Sequence, residues 1–115
     1  MKKFTVRRSK WRRGGIRYNN DKGETFLLNK KGYMCCLGFA TNQICRVTKK
    51  NLLEEASPSC VLENKSTFTN EYGVNNDLTR RAMRINDASN ISDKLREERL
   101  TALFKNYDIK VTFKD

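Results

Sequence analysis

Polar and apolar residues alternate at both ends of the chain. In Lys3-Phe4-Thr5-Val6-Arg7, Phe4 and Val6 share one face. From Asp108 to Lys114, Ile109, Val111 and Phe113 do the same. A period of two predicts a half-buried strand, because successive side chains point to opposite faces. Between these ends the period lengthens. Tyr33, Leu37, Ala40 and Ile44 recur at three- and four-residue spacing, which predicts a buried helix over Tyr33 to Cys45, weakened by Gly38 and Thr41. Thr48 is placed to cap a short helix reaching about Glu55, with Leu52 and Leu53 inward, before Ser57-Pro58-Ser59 breaks it. Asp77 is placed to cap a helix to about Ile85. Asn90 or Ser92 is placed to cap a last helix to about Asn106, with an apolar stripe of Leu95, Leu100, Leu103, Phe104 and Tyr107 and a wet face of Glu97, Glu98 and Arg99. Thr25 to Leu28 predicts a short strand. Gly14-Gly15, Asn19 to Gly23 and Asn29 to Gly32 predict turns. Glu63 to Asn76 predicts a long polar loop, with room for a short strand at Ser66 to Thr69.

Neither terminal strand is stable alone. Pairing them in one small sheet, with three to four helices over its apolar face, is the economical arrangement and defines an α+β fold. A length of 115 residues predicts a single domain spanning 1–115. The longest apolar run, Met34 to Ala40, is far short of the roughly 20 residues a membrane span needs. Met1-Lys2-Lys3 resembles the start of a secretory leader, but no apolar segment follows it, so a cytoplasmic location without membrane contact is expected.

Charge breaks the symmetry of the two ends. The basic N-terminal region 1–31 holds eleven Lys or Arg against Asp21 and Glu24, and so carries nine of the eleven net positive charges. Such asymmetry marks a surface for a polyanion or an acidic partner. The candidate binding residues are Arg7, Arg8, Lys10, Trp11, Arg12, Arg13, Arg17 and Tyr18. Cations would meet phosphates or carboxylates, and an exposed indole would stack on a base or anchor a protein contact. The alternative reading is a solvated basic edge with Trp11 turned into the core. Arg80, Arg81 and Arg84 either extend this patch, pair with Glu97 and Glu98, or form an outer helix face.

The chain has no histidine, which excludes Ser-His-Asp and Cys-His nucleophile pairs and any imidazole base or ligand. Four cysteines, Cys35, Cys36, Cys45 and Cys60, lack a C-x-x-C spacing, so no metal and no cofactor are expected. Cys35 and Cys36 admit two readings. At a helix start near Lys30 and Lys31 a thiol would have a lowered pKa. Otherwise both fill tight core space, with Gly38 permitting close approach. No base or acid accompanies them, which favours the core role. Asn86-Asp87 reads as the end of one helix and the start of a turn, and no second carboxylate is arranged with Asp87 for acid–base work. Asn64-Lys65-Ser66 and Asn90-Ile91-Ser92 match the glycosylation pattern by chance in a chain expected to stay inside the cell.

Several segments in order, Val6 to Gly14 around Trp11, Leu27-Leu28, Met34-Cys35-Cys36-Leu37-Gly38-Phe39, Ile85-Asn86-Asp87, Arg96-Glu97-Glu98, Leu100 to Phe104 and a closing strand to Phe113, resemble short uncharacterised proteins of tailed bacteriophages and prophages. The Met-Cys-Cys-Leu-Gly core is the most specific part. The resemblance implies origin, a viral protein acting in a bacterial cytoplasm, and brings no activity. Charge and resemblance together lead to the expectation of a non-catalytic accessory protein that binds a host macromolecule, such as a defence or nucleic-acid-handling protein, through an acidic surface. Largely sequence-independent nucleic-acid binding is the alternative, and a thiol-dependent enzyme the third.

Overall fold

The computed structural model describes residues 2–14, 22–58 and 76–115. Its first element is strand β1, Lys2–Arg7, whose Phe4 and Val6 are buried while Lys3 and Arg7 are exposed. Its last is strand β2, Ile109–Lys114, with Ile109 and Val111 inward. The two pair side by side in parallel, in the register Lys3–Lys110, Phe4–Val111, Thr5–Thr112, Val6–Phe113 and Arg7–Lys114. Parallel neighbours need a crossover, and here nearly the whole chain supplies it. The expected α+β arrangement, terminal strands in one small sheet packed by helices, is the one found.

Four helices are present among the described residues: α1 Cys36–Ile44, α2 Lys49–Leu52, α3 Asn76–Asp87 and α4 Asp93–Lys105. The apolar face of the sheet, α1, α3 and α4 close on one core. Phe4 meets Phe104 edge-on at 5.0 Å, which joins β1 to α4.

Helix α1 starts three residues later than its apolar spacing predicts. Met34 is held extended beside Trp11: Met34 N–H donates to the Lys10 carbonyl at 2.9 Å, and Arg12 N–H donates to the Met34 carbonyl at 2.8 Å. Cys36 to Thr41 are then buried without a break. Gly38 is required there, because a Cβ would overlap the Leu27 carbonyl. The expected strand at Thr25 to Leu28 is reduced to a single bridge, Leu28 with Leu53, flanked by Leu27 N–H to the Glu55 carbonyl at 2.8 Å and Glu54 N–H to the Leu28 carbonyl at 2.7 Å. This bridge also stops α2 at Leu52, before Glu55. Leu52 is buried, but Leu53 is 43% exposed and not inward as its spacing suggests.

The Asn29 to Gly32 turn forms as expected. Asn29 Oδ1 accepts from Lys31 and Tyr33 N–H, and Gly32 takes the positive φ that L side chains avoid. Ser92 caps α4, its Oγ accepting from Leu95 N–H at 3.1 Å. The expected Glu63 to Asn76 loop, apart from Asn76, which begins α3, the expected Ser66 to Thr69 strand and most of the expected Asn19 to Gly23 turn lie outside the described residues.

Candidate polyanion interface

Leaving β1, the chain makes a 3-10 turn over Arg8–Lys10, and this turn sorts the basic cluster into inner and outer residues. Trp11 is 0% exposed. Its Nε1 donates to Asn86 Oδ1 at 2.8 Å, its ring lies 5.1 Å from Phe113, and the Arg13 guanidinium covers it at 4.5 Å. The placement of Trp11 in a binding surface is therefore corrected: the indole is core, and no face is left to stack on a base. Arg12 is corrected with it. At 2% exposure its Nε donates to the Gly23 carbonyl and Nη1 to the Arg13 carbonyl, and burial lowers its pKa against the pull of Asp87. Arg8 clasps Glu97 with Nε and Nη2, both at 2.8 Å, and reaches Asp115 at 2.9 Å. Its pKa rises, first through the bond to Glu97 and then through that to Asp115. Arg13 pairs with Asp93 at 3.0 Å. Arg7 and Lys10 are exposed. Arg17 and Tyr18 lie outside the described residues.

The partners that hold this cluster escaped sequence reading. Asn86 Oδ1 accepts from both Trp11 Nε1 and Cys36 N–H, and its Nδ2 donates to the Arg12 carbonyl and Asp87 Oδ1. Every polar site of the amide is used. Beside it, Arg96 is 1% exposed and its Nη1 donates to the carbonyls of Ile85, Asn86 and Ala88, satisfying the end of α3. Arg81 pairs with Asp77 on the α3 surface, and Glu97 is taken by Arg8, so the α3 arginines do not pair with Glu97.

Four of the outward cations share the bare face of the sheet. The register sets Lys3 against Lys110 and Arg7 against Lys114, with Thr5 and Thr112 between them. All four cations are exposed, and among the described residues none has an ion-pair partner. Strands lie about 4.8 Å apart, so two pairs of like charges face each other directly. Beside β1 runs a groove of about 500 Å³. Exposed Arg7, Lys10 and Lys49 line it, over apolar Leu28, Met34 and Phe39. Lys10 and Lys22 each bring their ammonium to just under 6 Å from the Tyr33 ring centre. Lys3, Lys49, Lys110 and Lys114 were not among the expected binding residues. The polar phase of the C-terminal alternation contained the signal for the last two, but only the parallel pairing puts them beside Lys3 and Arg7.

The thiols take the core role. Cys35 is pushed up to about 12 and Cys36 well above the ordinary thiol value, in both cases chiefly by burial. This is the favoured of the two readings; the alternative of a lowered pKa at the helix start does not hold, since desolvation outweighs the helix terminus. Among the described residues no group of three metal-ligating side chains is assembled, and no helix is long and apolar enough to cross a membrane. No protein-family model, curated protein or solved structure matches the chain.

Proposed function

We propose that this chain is a non-catalytic accessory protein, of the kind tailed bacteriophages encode, that docks through its sheet face on an acidic surface of a host macromolecule. The observation that carries the reading is the register. Lys3–Lys110 and Arg7–Lys114 place like charges opposite each other at a cost in stability, with no carboxylate among the described residues to offset it. Charges kept at such a cost serve something outside the fold. A protein partner is favoured over nucleic acid by the apolar lining of Leu28, Met34 and Phe39, which a phosphate backbone does not use, and by the burial of Trp11.

The test is binding of polyglutamate and of duplex DNA to the wild type and to K110E/K114E, across a salt series. Polyglutamate is expected to bind the wild type and to lose at least about tenfold in affinity against the variant, which corresponds to ~1.4 kcal/mol. Equal affinity for wild type and variant overturns the reading. Tighter binding to DNA than to polyglutamate, falling steeply with salt, replaces it with sequence-independent nucleic-acid binding.

A further inference from the structure

Thr5 is bonded on its outer edge by a side chain that imitates a strand. Gln43 Oε1 accepts from Thr5 N–H and Gln43 Nε2 donates to the Thr5 carbonyl, both at 2.8 Å. One residue giving and taking both bonds is the pattern of a hydrogen-bonded pair in a β ladder. Gln43 comes from the last turn of α1 and is exposed, so it holds this slot without being packed there. By the period of two, the N–H groups of Lys3 and Arg7 point to the same edge as that of Thr5. The groove lies along this edge.

We infer that the β1 edge accepts an extended acidic peptide as an added third strand, and that the Gln43 amide occupies the slot until the peptide displaces it. The inference rests on the acidic-partner reading above and adds its mode. Charge selects the occupant: Arg7, Lys10 and Lys49 are exposed around the groove and, among the described residues, have no carboxylate partner. Leu28, Met34 and Phe39 give an apolar side chain of that peptide a place to enter. Alternating acidic and apolar residues match both, because an extended peptide sends them to opposite sides. Main-chain bonds to the edge supply affinity, and the side-chain places supply selection.

The probe is a synthetic peptide of alternating glutamate and valine, titrated against the wild type, Gln43→Ala and R7E/K10E/K49E. A second peptide carries N-methyl groups on alternate amides. Circular dichroism confirms that each variant is folded, as expected for substitutions at exposed positions. Gln43→Ala no longer has two bonds to break before the peptide pairs, so it is expected to bind at least about fivefold more tightly than the wild type. N-methylation is expected to abolish that gain, and R7E/K10E/K49E to abolish binding. Loss of binding in R7E/K10E/K49E together with indifference to Gln43→Ala or to N-methylation overturns the strand mode and leaves the acidic-partner reading intact. Undiminished binding in R7E/K10E/K49E overturns both. Failure of the peptide to bind the wild type and Gln43→Ala overturns the strand mode, as does a single-stranded DNA oligonucleotide that binds more tightly than the peptide.

Discussion

The Asn86 side chain joins four polar partners. Without its amide, Trp11 Nε1–H and Cys36 N–H lose their acceptor and the Arg12 carbonyl a donor, in a region closed to water. Each orphaned group costs about 1–3 kcal/mol. Asn86→Ala is therefore expected to destabilise the protein by about 3 kcal/mol or more in denaturant unfolding. A loss under 1 kcal/mol would show that the hub matters little. Gly38 is sensitive for a different reason. Its neighbour is the backbone of Leu27, which has no flexible end to move aside. Gly38→Ala is expected to cost at least about 2 kcal/mol, although alanine is the better helix former by roughly 1 kcal/mol. A stabilised Gly38→Ala variant would disprove the close approach. At this scale the sequence marked Gly38 as a place of close approach, but to the sheet and not to the Leu27 backbone it meets, and Asn86 only as the end of a helix. One residue's spacing says nothing of a tryptophan 75 positions away.

Individual elements were legible to the extent that their own periodicity shaped them. β1, β2 and α4 emerge close to their expected bounds, and of the two expected caps, Asn90 and Ser92, it is Ser92 that caps α4. Elements that share backbone bonds with a distant segment shift. Tyr33, Met34 and Cys35 drop out of α1 because Met34 bonds the turn around Trp11, and α2 shortens because Glu54 and Glu55 bond Leu28 and Leu27. The alternation of β1 and β2 is also unusual for parallel strands, which are normally covered on both faces. Here one face stays bare, and that bare face is the candidate interface. Its cost is measurable. K110E/K114E turns two like-charge pairs into opposite-charge pairs, with an expected gain of roughly 0.2–1 kcal/mol per pair in thermal or denaturant unfolding. Stability should rise in the same variant whose polyglutamate binding falls. A variant that loses stability would mean that the lysines support the fold.

At the scale of the whole molecule, the buried thiols tie stability to pH. Cys35 ionises near 12 in the fold against an ordinary value of 9.0, so the folded state holds its proton where the unfolded state has lost it. The stabilisation is complete below pH 9 and is lost as pH rises toward 12. The slope is roughly 1.4 kcal/mol per pH unit for each such thiol, and Cys36 adds to it in the same direction. A steep alkaline loss of stability is expected, flattened in Cys35→Ala. Site-resolved alkylation should find Cys35 and Cys36 protected until the protein unfolds, and rapid labelling of either in the native state would contradict their burial. The acid side is shallower. Asp93 lies below its ordinary value of 3.8, chiefly through its bond to Arg13, so its contribution is present above that pH and disappears as the pH falls through the lowered value. The carboxylate is half exposed, and solvent screening keeps the effect small.

Local pattern alone determined the two terminal strands, most of the helical segments, the Asn29 turn and the concentration of charge in the first thirty-one residues, because each is written in neighbours a few positions apart. The tertiary structure alone decided which cations face outward. Arg8 meets Glu97 and Asp115 across 89 and 107 residues, and Trp11 meets Asn86 across 75. Only chain closure brings such partners within bonding distance, and the same closure, by pairing the two ends in parallel, carries Lys110 and Lys114 to Lys3 and Arg7.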